Sequence, residues 1–101
     1  MRTPQYQPKY LWKPTWTGET GLDGKPLQDF QAWDGEVPVG RIRYEDGGPK
    51  REKWQWSGHG PEVRERLMPH QGFEPTAREA SRMAEEYYDR LMAANGLKGK
   101  E

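Results

Sequence analysis

The stretch Val37-Pro38-Val39-Gly40-Arg41-Ile42-Arg43-Tyr44-Glu45 decides the fold. From Arg41 onward, cations and apolar residues alternate, and successive side chains of an extended strand point to opposite faces. Ile42 and Tyr44 therefore share one face, which must be covered, and Arg41 and Arg43 share the other. Upstream, Asp29 to Trp33 reads as a preceding strand, and Asp34-Gly35 is a hairpin signal that tolerates positive φ. Downstream, Asp46-Gly47-Gly48-Pro49 makes the next turn and Lys53 to Ser57 a third strand. Two hairpins in succession give an antiparallel meander. Alternation then places Phe30, Ala32, Ile42, Tyr44, Trp54 and Trp56 inward, and Gln31, Trp33, Arg41, Arg43, Lys53, Gln55 and Ser57 outward.

The inward face needs a lid, and the end of the chain supplies one. Thr76 followed three residues on by Glu79, with Pro75 just before, is a capping-box signature for a helix start. At 100° per residue, Ala80, Met83, Ala84, Tyr87, Leu91 and Ala94 fall on one stripe, with Arg78, Glu79, Arg82, Glu85, Glu86, Asp89 and Arg90 opposite or flanking it. Asn95-Gly96 is a helix stop. The expected fold class is α+β: a three-stranded antiparallel meander packed on one C-terminal helix, with Tyr10 to Trp16 as the candidate for a fourth, N-terminal edge strand kept short by Pro8 and Pro14. The expected organisation is an aromatic, Pro/Gly-rich arm over residues 1–28, a β-β-β-α domain over 29–96 and a disordered tail over 97–101. Between the sheet and the helix, Gly58-His59-Gly60-Pro61 is expected to end the sheet and Pro61 to Leu67 to form a short helical turn.

Composition bounds what this fold can do. A chain of 101 residues holds one domain. Only 32% of it is hydrophobic and 32% is charged, but the formal net charge is zero and five Trp, five Tyr and two Phe give much apolar area from few residues. A small aromatic core follows, one that a protein partner or weak self-association would reinforce. No cysteine is present, which excludes disulfides and thiolate metal sites. The first fifteen residues carry three prolines and no apolar run, so no signal peptide or membrane span is expected there, and the cytoplasm is the default compartment. Balanced charge argues against a dedicated non-specific nucleic-acid binder.

One surface calls for an explanation. Gln31, Trp33, Arg41, Arg43, Lys53 and Gln55 would lie together on the outward sheet face, three cations around a Trp with no acid at the centre. Such a face can bind a protein partner, or it can contact nucleic acid, with cations meeting phosphates and Trp stacking on bases. A third reading has no ligand: the arm folds over the face through Trp12 or Trp16, and Glu36, Glu45, Asp46 and Glu52 neutralise the cations from the turns.

Other clusters imply no chemistry. His59 and His70 sit in Gly/Pro-rich loops, and even with Glu62 or Glu74 nearby they match no ligand spacing, so no catalytic site, metal or cofactor is expected. Gly47-Gly48-Pro49-Lys50 lacks the strand-to-helix context of a phosphate loop. Glu85, Glu86 and Asp89 read as an ion-paired helix surface with Arg82 and Arg90. Tyr88, at the edge of the stripe, reads as a shield of the sheet edge or as a contact residue, and Met92, outside the stripe, as an exposed contact.

Val39-Gly40-Arg41-Ile42, Trp54-Gln55-Trp56, and Gly72 followed by Thr76-Ala77-Arg78-Glu79-Ala80 resemble the pattern of short uncharacterised bacterial proteins with a Gly-Arg-Ile strand, a Trp-x-Trp strand and a Thr-x-x-Glu-Ala helix. The resemblance covers Asp29 to about Ala94. The element order is also similar to AP2-type DNA-binding domains and the arm-binding domains of phage integrases. That second resemblance implies DNA contact through the outward sheet face and nominates Trp33, Arg41, Arg43 and Lys53; it is a likeness of topology.

Overall fold

The computed structural model describes residues 7–15, 28–45, 48, 52–63 and 66–97. Five strands, β1 (Leu11–Pro14), β2 (Asp29–Asp34), β3 (Val37–Glu45), β4 (Lys53–Gly58) and β5 (Gln71–Glu74), precede one helix, α1 (Ala77–Ala94). The strands lie side by side in chain order, every neighbouring pair antiparallel. The α+β class and the central meander are as expected. The sheet is wider than three strands: β1 is the N-terminal edge strand, and β5 adds a strand on the other side.

The β5 strand replaces the expected end of the sheet. After β4 the chain loops out and returns, and the Gly58 N–H donates to the His70 carbonyl at 2.7 Å as the new pairing opens. Gly72 stands opposite Trp56, and a β-carbon there would lie 2.8 Å from the indole nitrogen. The described residues between Pro61 and Leu67 carry no helical turn. They pack instead: Val63 and Leu67 lie against the core, and the Leu67 carbonyl accepts from the Tyr87 hydroxyl at 3.1 Å.

Inward parity holds for Ile42, Trp56 and Ala32, all buried, with Phe30 and Trp54 packed beside them and the Tyr44 ring tilted against Trp54, centroids 5.4 Å apart. It reverses within β3. Ala32 pairs with Gly40 but Trp33 pairs with Pro38, so Val39 is an extra residue in the ladder. A bulge of this kind shifts the alternation by one. Even positions from Gly40 onward face the helix, whereas before the bulge Val37 and Val39 do, both packing in the core. The hairpin turn lies one residue later than its sequence signal: Asp34 still pairs with Val37, and Gly35, at φ +64°, and Glu36 form the turn.

The helix begins at the expected cap, where Thr76 Oγ1 accepts from the Glu79 N–H at 3.1 Å. Glu79 turns its carboxylate to Arg82 at 2.9 Å. At the other end Gly96, at φ +70°, lets the Leu97 and Gly96 N–H groups reach back to the Met92 and Ala93 carbonyls. Between the caps, the buried face is broader than the predicted stripe. Ala80, Ala84, Tyr87 and Leu91 are buried and Met83 half-buried, but Ala94 is exposed and Ser81, Glu85, Tyr88 and Met92 are buried too. Tyr88 and Met92 are therefore core residues rather than exposed contacts. The reason lies at the opposite end of the chain: Tyr10 and Trp12 pack on that flank with Ala32, Val39 and Val37, forming a second core cluster beside the one around Trp56.

Gly40 and Gly58 let the helix approach. A β-carbon on Gly40 would stand 2.8 Å from Ala84 Cβ, and one on Gly58 2.1 Å from the Tyr87 ring. No helix among the described residues is long and apolar enough to cross a membrane. Trp16, the turn signals of residues 17–24, most of the Asp46-Gly47-Gly48-Pro49 turn, Lys50, and residues 98–101 of the predicted tail lie outside the described residues.

Candidate interaction surface

Strand alternation and register assign the residues of the face turned from the helix. One row across the sheet is Lys13, Gln31, Arg41, Ser57 and Gln71; the next is Asp29, Arg43, Gln55 and Phe73. Leu11 and Trp33 flank the first row at the β1 end, and Glu45 and Lys53 pair beyond the second. Gln31, Trp33, Arg41, Arg43, Lys53 and Gln55 thus share this surface. Ser57 is outward as alternation had it; sequence reasoning missed Lys13, Gln71 and Phe73 here. The first needed the register of β1 and the last two needed β5 itself, for which no periodic signal exists in four residues.

Asp29 changes the electrostatics. Its carboxylate takes the Arg41 guanidinium in two hydrogen bonds, Nε to Oδ1 at 2.8 Å and Nη2 to Oδ2, and Oδ1 also accepts from Thr15 Oγ1 at 2.7 Å. Hydrogen bonding to Asp29 raises the Arg41 pKa further above its ordinary value, against partial desolvation. The centre of the face therefore does contain an acid. It was legible, because Asp29 has the same parity as Gln31. Arg43 is held as well, by Gln55 Oε1 at 2.7 Å and Glu45 at 3.2 Å. Among the described residues the face carries Lys13, Arg41, Arg43 and Lys53 against Asp29 and Glu45.

The N-terminal segment does not lie over this face through Trp12. The Trp12 side chain packs in the core on the helix side, and its Nε1 donates to Glu85 Oε2 at 2.9 Å. The Lys9 and Tyr10 N–H groups donate to the same carboxylate at 2.9 and 3.0 Å, and the Tyr10 hydroxyl and Lys9 Nζ reach Asp89. Glu85, at 0% exposure, is not part of an ion-paired helix surface; it anchors the first strand. Arg82 does make the expected surface pair with Glu86, and a further one with Glu79. The outward contribution of β1 is Leu11, 56% exposed, and Lys13, while Phe73 at the β5 end is 37% exposed.

A shallow depression of 190 Å3 opens between β3, β4 and β5, lined by Arg41, Arg43, Gln55, Ser57 and Gln71. At its rim Ser57 Oγ lies 3.2 Å from His59 Nε2. Partial burial, then the charges of Arg41 and His70, lower the His59 pKa, although the ring keeps contact with solvent. No group of three or more His, Asp or Glu side chains among the described residues is arranged to hold a metal ion. No protein-family model, curated protein or solved structure matches this chain.

Proposed function

We propose that this chain is a small non-enzymatic interaction module that docks a protein partner through the outward sheet face and the N-terminal segment forming its edge. The observation that carries the reading is the pairing of the central cations. A sheet that grips a duplex uses a run of unneutralised Lys and Arg to displace counterions from successive phosphates. Here Arg41 is engaged by Asp29, and Arg43 by Glu45 and Gln55. The same face exposes Leu11 at one end and Phe73 at the other, with Trp33 beside Leu11. Aromatic and apolar anchors around fixed Arg and amide groups are the composition of a protein docking surface.

DNA contact through the same face is the second reading, favoured by its four cations against two carboxylates and by the resemblance to AP2-type and integrase arm-binding domains. Amide spectra recorded while adding random-sequence duplex separate the two. Docking to protein predicts no saturable shifts at physiological salt; saturable, steeply salt-dependent shifts at Arg41, Arg43 and Lys53 would transfer the conclusion to DNA. The positive arm uses photo-crosslinkers. One at Gln31 should capture a protein in cell extract, one at Arg90 on the helix should not, and Trp33→Ala with Phe73→Ala should abolish the capture.

A further inference from the structure

The depression between β3, β4 and β5 gathers hydrogen-bond donors from three strands. The register sets Arg41, Ser57 and Gln71 side by side, with Arg43 and Gln55 in the adjoining row. Neighbouring strands lie about 4.8 Å apart, so these side chains surround one opening. Each charged group is held in place. Asp29, on β2, grips Arg41, and Glu45 holds Arg43. Because Gln55 Oε1 accepts from Arg43 Nε, the Gln55 amide group is left to donate. The Gln71 amide adds a neutral donor beside the guanidiniums, and so does the Ser57 hydroxyl when His59 Nε2–H donates to its oxygen.

We infer that this depression binds a phosphoryl oxoanion, carried either as a free phosphate ion or on a phosphorylated side chain of the docked partner. Only the second source rests on the docking reading of the face. A planar carboxylate is satisfied by a single guanidinium fork, whereas donors arriving from three strands suit an acceptor with oxygens in several directions. A duplex, in contrast, needs a line of such points, and the acids Asp29 and Glu45 interrupt any line here. His59 supplies an independent readout. Burial together with the charges of Arg41 and His70 disfavours its protonated form, and an anion seated beside Ser57 would offset those charges.

The test is a titration of the full chain with inorganic phosphate, against sodium chloride at matched ionic strength, followed by amide shifts and by the His59 titration curve. Saturable shifts at Arg41, Arg43, Gln55, Ser57 and Gln71, with an upward move of the His59 pKa, are expected with phosphate alone. Arg43→Gln should weaken binding about tenfold and Gln71→Ala about threefold, the loss of one charge-assisted and one neutral hydrogen bond. Both substitutions are at the surface, and an unchanged helix-side spectrum verifies folding. A phosphoserine peptide that binds tighter than free phosphate, with shifts reaching Phe73, assigns the group to a partner; equal affinity assigns the free ion. Shifts reproduced by chloride, acetate binding as tightly as phosphate, random duplex out-competing both phosphate probes, or full affinity in folded Arg43→Gln would each overturn the inference. Should phosphate fail while Trp33→Ala with Phe73→Ala still abolishes crosslinking, only this inference falls and the docking surface stands.

Discussion

Trp12 Nε1 donates to Glu85 Oε2 at 2.9 Å across 73 positions of sequence, joining the first strand of the sheet to the middle of the helix. The carboxylate takes two backbone N–H groups as well, from Lys9 and Tyr10. Hydrogen bonds to a charged acceptor contribute about 1.5 to 3 kcal/mol each, more than neutral ones.

Glu85→Ala should therefore destabilise the protein by about 3 kcal/mol, since it strands one buried and two part-buried donors and opens a cavity. Urea denaturation measures the loss. Amide exchange should locate it: protection from Tyr10 to Lys13 should collapse, while β3 and β4 keep theirs in proportion to global stability.

Gly40→Ala should cost about 1 to 3 kcal/mol, because the new methyl meets Ala84 and the Ser57 carbonyl oxygen, each 2.8 Å away. A helix pushed off the sheet would also perturb Trp56. Thermal unfolding followed by Trp fluorescence checks both, and an unchanged midpoint would mean that the helix has slack at this crossing.

Tyr88 is fully buried and its hydroxyl donates to Asp34 at 2.8 Å. Burial, then the hydrogen bond and charge of Asp34, raise its pKa well above the ordinary 10.0. A raised folded pKa means that the unfolded chain ionises first. The Tyr88 contribution is then complete below pH 10 and is lost as pH climbs through the alkaline range above it. Alkaline titration of phenolate absorbance should show one more tyrosine ionising only on unfolding than the same titration of Tyr88→Phe. That substitution should also cost about 1 to 2 kcal/mol at neutral pH, as Asp34 loses its donor.

Asp29→Asn removes the acid that engages Arg41 and adds one net positive charge to the outward face. Binding to random duplex at low salt should strengthen, with the slope of log affinity against log salt steeper by about one phosphate contact. Fluorescence anisotropy at several salt concentrations measures it. Stability should fall with the loss of the pair, as it links β2 to β3 and also holds Thr15.

Local chemistry alone determined the central strands, the helix and its two caps. Alternation from Arg41 to Tyr44 and the Trp54-Gln55-Trp56 pattern need only a period of two, and Thr76 with Glu79 needs only the geometry of a first turn. The six outward candidates followed from that period, and so would Asp29. The tertiary structure decided the rest, because those features depend on contacts far apart in sequence. Glu85, Tyr88 and Met92 are buried by a strand more than 70 positions away, which no helical wheel contains. The β5 strand exists because Gly72 fits beneath Trp56, and the bulge at Val39 turns both valines inward to reach Tyr88 and Met92. Periodicity orders neighbours along the chain; which segment covers a given face is settled by shape and hydrogen bonding between segments.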